Sequence, residues 1–301
     1  MTELSKTILD QYQVRKSKKQ KQAFIQFLQR QFPEMRIEYH KGSGSNNLIL
    51  GNPAKSKILI SAHYDTCAQL PIPNFVTPLR PILSILYGLL LMIPIGAVVF
   101  ALHMLLIPII DSFSLRNWLS IALLYYIIIF GPANKHTVND NTSGVITLSE
   151  LYQSLTTEEK ENICLIFFDN EEKGLLGSAA YRKQHKEEIK NQLLINLDCV
   201  SDGDHILLAV SKKARESYMP TIAEAFSETL NKKVLLKNLE KVYYPSDQAK
   251  FPLSIAIAAL KYKKLPGYYM DRIHTKRDTV MDKGNIHFIK DSILKLIRSK
   301  C

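Results

Sequence analysis

The chain has 301 residues, of which 46% are hydrophobic and 22% charged, and its formal net charge is +11 at pH 7. This length and hydrophobic content suffice to bury a substantial core, and they fit one α/β domain plus an insertion. The four cysteines form no Cys-x-x-Cys pair, which excludes a zinc finger and predicts free thiols in a reducing compartment: Cys67, Cys164, Cys199 and Cys301.

The first predicted elements are a basic helical segment over residues 4–32 and three short strands. One face of the helical segment is apolar, with Phe24, Phe27, Leu28 and Phe32 at helical spacing. Met1 begins a polar stretch without an apolar core, so no cleavable secretory signal is predicted. The strands are predicted at residues 36–40, 48–50 and 57–62, with a turn at residues 42–45 between the first two.

The next feature is a long apolar insertion at residues 81–133. Residues 81–110 contain no Asp, Glu, Lys or Arg, and they are long enough to cross a bilayer even with a kink at Pro94. A polar turn at residues 111–117 and a second uncharged run at residues 118–133 follow. We therefore predict a transmembrane helical hairpin with two spans over residues 82–131. Because the second run is short for a span, a re-entrant arm and a soluble apolar lid remain alternatives to the hairpin.

The remainder of the chain alternates predicted strands and helices. Strands are predicted at residues 163–168, 193–197, 205–210, 234–237 and 254–260, and helices at residues 143–155, from 175, 214–230 and 284–298. This order predicts an α/β fold with a mixed, mostly parallel central sheet and helices on both faces. The predicted parts are an N-terminal basic helix with the first part of the main domain (1–80), the hairpin (81–133) and the rest of that domain (134–301).

Five short segments of this order carry His, Asp or Glu: residues 62–66, 139–144, 169–174, 196–198 and 272–275. Four of the five follow an apolar run that is typical of a buried strand or its end. The ends of strands are where open α/β sheets place their sites. Imidazole and carboxylate groups are ligands of zinc, so together the segments predict a metal site.

The motifs from about Ile58 to the C-terminus resemble those of the co-catalytic di-zinc aminopeptidases. That family also contains glutaminyl cyclases, glutamate carboxypeptidases and the metal-free transferrin-receptor ectodomain. The shared motifs are His-x-Asp after a strand, Asp-Asn-x-Ser-Gly opening a helix, Glu-Glu before Gly-Leu-x-Gly-Ser, Asn-Leu-Asp, Ser-Asp, and His-Thr-x-x-Asp-Thr. The resemblance implies two zinc ions and these roles: His63 and Asp198 on one zinc, Glu172 and His274 on the other, Asp140 bridging both, Glu171 as general base, and Asp65 behind His63.

The proposed chemistry requires the same residue types. A bridging carboxylate can hold two cations roughly 3.5 Å apart, and such a pair can activate water and polarise a peptide carbonyl. A separate carboxylate must take a proton from the water and pass it to the leaving amine, and adjacent Glu171 and Glu172 can divide the base and ligand roles. Asp65 can accept the second N–H of the His63 imidazole and fix its tautomer.

The chain departs from the family pattern at Gln248, where Ser-Asp is commonly followed by His. Gln can donate a hydrogen bond but cannot carry a proton, so a role for this position in orienting substrate is in doubt. Tyr243 or Tyr244 could donate to a developing oxyanion, and a buried structural Tyr is an equal alternative. The related dimeric di-zinc amidohydrolases insert a dimerisation domain before the last His, whereas residues 199–273 here are predicted to continue the sheet and helices.

The positive charge predicts the side of the membrane. The insertion contains only Asp111 and Arg116, so the net charge belongs to the remainder of the chain. Basic residues flank the insertion and cluster near the N-terminus: Arg80, Lys135, Arg15, Lys16, Lys18, Lys19 and Lys21. Such residues stay cytoplasmic and attract anionic lipid. No nucleic-acid motif accompanies the charge, so we expect no nucleic-acid partner.

These observations predict a zinc-dependent exopeptidase, most simply an aminopeptidase that hydrolyses N-terminal residues from peptides. The expected partners are peptide substrates and a lipid bilayer, and the expected location is a multi-pass membrane protein with its catalytic domain in the cytoplasm. A glutaminyl cyclase-like transferase keeps most of the ligand pattern and stays an alternative. A non-catalytic binding module on the same fold is a third, although such a module would be expected to lose ligands.

Overall fold

A computed structural model describes residues 1–70 and 73–299, with the backbone alone at residues 127–130. Within this part, nine strands form one sheet: β1 Arg36–His40, β2 Ser45–Leu50, β3 Ile58–His63, β4 Ile163–Phe168, β5 Leu193–Leu197, β6 His205–Val210, β7 Lys233–Asn238, β8 Ser254–Lys263 and β9 Gly267–Tyr269. The strand order is β1-β2-β4-β3-β5-β8-β6-β7, and β9 pairs with β8. The four central strands β4, β3, β5 and β8 run parallel.

Helices cover both faces of this sheet: α1 Glu3–Gln11, α2 Lys18–Gln31, α5 Gly144–Ser154, α6 Thr157–Asn162, α7 Leu176–Gln184, α8 Lys212–Ala225 and α9 Lys283–Arg298. Helices α3 Pro81–Leu105 and α4 Phe113–Phe130 lie in the insertion. The larger core lies between the sheet and α1, α2, α5, α8 and α9. A smaller core on the other face includes Leu59, Ile166 and Tyr181, the last from α7. Because both faces are covered, the central strands β3 and β4 are fully buried, and β4 is apolar throughout. The predicted fold class is confirmed.

The predicted N-terminal helical segment is interrupted, and this part of the prediction was wrong. Helix α1 ends at Gln11 and α2 begins at Lys18. Ser17 starts α2 with a capping box, in which its side chain and that of Gln20 each accept a backbone N–H. Between the helices, Arg15 is fully buried and donates to the carbonyl of Tyr64 at 2.5 Å. Because apolar residues have helical spacing on both sides of the break, the sequence pattern gave no sign of the break.

The other predicted elements agree with the structure except at a few boundaries. Helix α8 ends at Ala225, five positions before the predicted end, and α6 and β9 were not predicted. Of the predicted free thiols, Cys67, Cys164 and Cys199 are buried and unpaired, and Cys301 lies outside the described residues.

The insertion forms two helices, α3 Pro81–Leu105 and α4 Phe113–Phe130, which contact each other. The turn between them lies at residues 106–112 rather than at 111–117, because Ser112 caps α4 by accepting the N–H of Leu115. Among the described residues, α3 is long and apolar enough to cross a membrane, and no residue of its most apolar stretch is buried. Large side chains on both helices are exposed, including Ile93 at 71% and Trp118 at 71%.

Candidate metal centre

Three of the five predicted segments meet because their strands are neighbours and run parallel. His63 is the last residue of β3, Asp169 to Glu172 follow β4, and Asp198 follows β5. Parallel strands bring their carboxyl ends to one edge of the sheet. Segments that are far apart in the sequence therefore lie together at one edge of the sheet.

Asp140 lies in the centre of this cluster. It precedes α5 in the segment Val138–Ser143, and the dihedral angles of Asp140 and Asn141 are not helical. One carboxylate oxygen, Oδ1, lies 3.3 Å from His63 Nε2. The other, Oδ2, lies 2.8 Å from His274 Nε2. Its two oxygens thus face two different imidazoles, as a bridge between two ions requires.

Each imidazole also has a second carboxylate beside it. His63 Nε2 lies 3.5 Å from Asp198 Oδ1, and His274 Nε2 lies 3.5 Å from Glu172 Oε2. Ligand atoms on one zinc, with bonds of about 2.0–2.2 Å, are separated by similar distances. The structure thus brings all five predicted ligands together as two pairs on either side of Asp140.

The buried oxygens of these carboxylates indicate that a cation fits here. Asp198 Oδ1 and Glu172 Oε1 are buried without a hydrogen-bond partner, and an uncompensated buried carboxylate is costly. Burial raises the pKa of Glu172 to about 8, with His274 opposing and Asp140 adding to the shift. Burial likewise opposes charge on Asp140, but His274 and His63 outweigh it and hold the pKa of Asp140 well below its usual range. Nitrogen and carboxylate donors in this arrangement are suited to zinc.

Glu171 faces the His63 side of the cluster. A carboxylate oxygen of Glu171 lies within 4.8 Å of ligand atoms of both His63 and Glu172. Burial raises the pKa of Glu171 well above its ordinary value, although His63 opposes the shift. A carboxyl of raised pKa is suited to accept and return a proton.

Asp65 holds the Glu171–Glu172 turn as well as His63. Its Oδ1 accepts the backbone N–H of Glu171 at 2.9 Å, and its Oδ2 accepts that of Glu172 at 3.2 Å. His63 Nδ1 lies 3.2 Å from the backbone carbonyl of Asp65 and 3.8 Å from its carboxylate. The sequence predicted a contact between the Asp65 carboxylate and His63, whereas the shorter contact is made by the Asp65 backbone.

Sequence reasoning missed the role of Asp278. Its two carboxylate oxygens accept the backbone N–H groups of Asn139 at 2.7 Å and Asp140 at 3.0 Å. Asp278 thereby fixes the backbone from which the central carboxylate projects. The late His-Thr-x-x-Asp-Thr motif contains this residue, and that motif was the only signal for it in the sequence.

Two N-terminal cations lie beneath the site rather than on the surface. Besides Tyr64, Arg15 donates to Thr142 Oγ1 at 3.1 Å, and burial lowers its pKa to about 10 despite the nearby Asp65. Lys21 forms a buried ion pair with Asp169. Both cations compensate acidic groups around the site, so they do not add to the surface charge from which a membrane contact was inferred.

Gln248 and Tyr244 support the site from behind. Gln248 is buried, donates to the carbonyl of Tyr244 at 2.6 Å and accepts the side-chain N–H of Asn196 at 2.9 Å. Tyr244 donates its hydroxyl to the backbone carbonyl of Asp198 at 3.2 Å, whereas Tyr243 is 56% exposed. Gln248 and Tyr244 therefore position the chain around Asp198.

A cavity of about 160 Å³ opens at the Glu172 and His274 side of the cluster. Its wall combines two of the predicted ligands, Glu172 and His274, with the Cys67 thiol and with basic residues such as Lys16 and Lys173. A small group of a substrate could therefore approach the cluster beside positive charge.

Comparisons with known proteins identify the family and agree with the fold. A model of peptidase family M28 matches residues 112–297. The aminopeptidase LapA of Legionella pneumophila is similar in fold, with a TM-score of 0.56 and 13% identity over 98% of this chain and 69% of that one. A glutaminyl cyclase of an Acidobacteriales bacterium is also similar, with a TM-score of 0.59 and 14% identity over 98% and 92% of the two chains. No curated protein sequence gives a significant match.

Proposed function

Because the chain belongs to peptidase family M28 and is a zinc metallopeptidase, we propose that it is a membrane-anchored aminopeptidase that uses two zinc ions. The observation that carries the proposal is the placement of Asp140, whose two oxygens face His63 on one side and His274 on the other. A carboxylate between two such pairs suits a shared ligand of two ions.

We assign the ligands from this arrangement. His63 and Asp198 would hold one zinc, Glu172 and His274 the other, and Asp140 both. When bound, the two ions would make a water more acidic and polarise the carbonyl of the peptide bond to be cleaved. The remaining steps depend on side chains of the chain itself.

Glu171 is the residue that we assign to proton transfer. It would take a proton from the attacking water and deliver it to the departing amine, which requires a carboxyl that is not a metal ligand. Asp65 would keep Glu171 in place, because it accepts the N–H of Glu171 and that of its neighbour Glu172. Tyr244 and Gln248 would fix the chain around Asp198.

The insertion is proposed to anchor the protein by two spans. Helices α3 and α4 contact each other and expose apolar side chains, and large exposed apolar surfaces mark contacts with lipid or protein. A lid packed on the main domain would bury one apolar side, whereas the most apolar stretch of α3 has no buried residue. Arg80 and Lys135 flank the insertion on the domain side, which favours a cytoplasmic catalytic domain.

The function can be tested with full-length protein purified in detergent, depleted of metal and then supplied with zinc. We expect zinc-dependent release of the first residue from peptides with a free N-terminus and no release from the same peptides after N-acetylation. An N-terminal glutaminyl peptide distinguishes the transferase alternative, since a cyclase would convert it to a ring without releasing an amino acid. Cleavage of blocked peptides, or cyclisation alone, would contradict the aminopeptidase assignment.

A further inference from the structure

Cys67 is the thiol that lies beside the predicted metal ligands. It follows His63 by four positions and is buried, with 6% of its surface exposed. Its Sγ, a carboxylate oxygen of Glu172 and a ring nitrogen of His274 all lie within 4.8 Å of one another. The thiol also lines the cavity on this side of the cluster.

Backbone hydrogen bonds fix Cys67 relative to His274. The carbonyl of Cys67 accepts the N–H of Asn134 at 3.2 Å, and the Asn134 side chain donates to the carbonyl of Thr275 at 3.1 Å. Leu70 donates its N–H to the carbonyl of His274 at 2.9 Å. The segment that carries the thiol is therefore joined on both sides to the loop that carries the imidazole.

We propose that Cys67, as a thiolate, is a further protein ligand of the zinc held by Glu172 and His274. The inference rests on the proposed two-zinc function. Zinc forms bonds of about 2.3 Å to thiolate sulfur and about 2.0–2.2 Å to nitrogen and oxygen, so a modest rotation of these side chains would place all three around one ion. The thiol loses its proton to solvent as the bond forms.

The two ions would therefore differ in the number and type of their protein ligands. With Asp140, Glu172 and His274, the thiolate gives this zinc four protein ligands, whereas the other zinc has three, His63, Asp198 and Asp140. Zinc in catalytic sites can expand to five ligands, so both ions would still accept a shared water. A soft thiolate also favours zinc over magnesium and manganese, which carboxylates and carbonyls bind.

Cobalt distinguishes this arrangement from a cysteine that only fills space. Full-length protein in detergent is stripped of metal and loaded with two equivalents of Co²⁺ without oxygen, in a reductant that contains no thiol. A thiolate bound to Co²⁺ gives an intense sulfur-to-metal charge-transfer absorption in the near ultraviolet, whereas nitrogen and oxygen ligands do not. Cys67→Ser is compared with Cys199→Ser, a buried cysteine next to Asp198 that belongs to no group of three ligand atoms among the described residues.

We expect the absorption in the wild type and in Cys199→Ser, and its loss in Cys67→Ser with two cobalt ions still bound. Zinc should bind the site of Glu172 and His274 at least about 10-fold more weakly in Cys67→Ser than in the wild type. Loss of a residue that only supports a ligand typically costs about 10–100-fold in metal affinity, and loss of a ligand should cost no less. Two bound cobalt ions without the absorption in the wild type, or an absorption that persists in Cys67→Ser, would overturn the inference and leave the two-zinc function standing. Binding of fewer than two cobalt ions by the wild type would overturn both.

Discussion

Asp278 accepts the backbone N–H of Asp140 at 3.0 Å, although the two residues are far apart in the sequence. The loop that contains Asp278 also supplies His274, whose ring faces an Asp140 oxygen. The loop that contains His274 and Asp278 thus holds the backbone N–H of Asp140 through Asp278 and contacts the Asp140 carboxylate through His274. Burial, with Asp140 nearby, raises the pKa of Asp278 to about 7, which reflects the cost of placing a second carboxylate here.

Asp278→Ala should weaken metal binding without removing a ligand. The change leaves the N–H groups of Asn139 and Asp140 without an acceptor, at a cost of about 1–3 kcal/mol for each buried group. Loss of such support typically lowers metal affinity about 10–100-fold, and we expect that range in a zinc competition titration. Asp291→Ala, on the surface of α9, serves as the control and should bind zinc like the wild type. Equal affinities for all three proteins would contradict a positioning role.

Glu171→Gln should retain both zinc ions and lose most of its turnover. General-base catalysis typically contributes about 10²–10⁴-fold, and Gln cannot carry the proton. Peptide hydrolysis and elemental analysis are measured on the same preparation. If the zinc content falls in parallel with activity, Glu171 is a ligand and the base must be another residue.

Asp140→Ala should lower metal occupancy more than Asp65→Ala. The first change removes an oxygen from each side of the cluster, where the distances to the His63 and His274 rings are 3.3 Å and 2.8 Å. The second removes the acceptor for the Glu171 and Glu172 backbone and should reduce turnover more than occupancy. Elemental analysis that finds wild-type occupancy after loss of Asp140 would remove the basis for a shared ligand.

Sequence motifs predicted which side chains meet because most of the proposed ligands lie at the end of a strand or before a helix: His63 ends β3, Asp198 follows β5 and Asp140 precedes α5. The closeness of His63 and Asp198 could be predicted because it depends only on their strands being neighbours and parallel, a common property of α/β sheets. The supporting contacts were not predictable in this way, since Asp278 reaches Asn139, and Arg15 reaches Thr142, only after the chain has folded. Local spacing carries no signal for such pairs.

The same limit explains the errors in the N-terminal region. Apolar spacing is helical on both sides of Arg15, and the sequence gives no sign that this cation is buried beside Asp65 and Asp140. The charge pattern suggested a surface residue instead. Its position is decided by acidic groups that lie far away in the sequence, so a window of neighbouring residues could not reveal it.

Removal of zinc should make stability fall as pH rises. In the metal-free protein burial raises the pKa of Glu172 to about 8, compared with about 4.3 in an unfolded chain. The folded state therefore holds a proton that the unfolded state lacks between these values. Its contribution to stability is fully present below about pH 4.3 and is lost as pH rises through about 8. Because zinc binds the ionised carboxylate, it should raise Tm more at about pH 8 than at about pH 6.

Thermal unfolding with chelator and with zinc, at both pH values, checks this prediction. Glu172→Gln is the matched control, because it removes one titrating group and should make the decrease in Tm of the metal-free protein less steep, while Asp278, with a pKa of about 7, keeps part of it. A decrease that is equally steep in the variant would assign the pH dependence to other residues.

Replacement of residues 82–131 by a short flexible linker should yield a soluble domain that keeps its zinc. The C-terminal end of the insertion is joined to the main domain, because Gln69 donates its N–H to the Pro132 carbonyl at 2.9 Å and Ala68 pairs with Ala133. The full-length protein should instead resist extraction by high salt and alkaline carbonate and require detergent. Zinc content and peptide hydrolysis of the shortened protein show whether the site is intact.

The orientation is tested by cysteines placed at Asp111, in the turn between α3 and α4, and at Lys135, next to the main domain. A membrane-impermeant thiol reagent applied to intact cells should label Asp111→Cys and leave Lys135→Cys unlabelled, because positive charge beside a span stays cytoplasmic. Labelling of Lys135→Cys alone would place the catalytic domain outside. Fractionation of the full-length protein as soluble without detergent would make the apolar helices a lid or a contact surface for another protein. The peptidase chemistry would be unaffected, since none of the predicted ligands lies between residues 82 and 131.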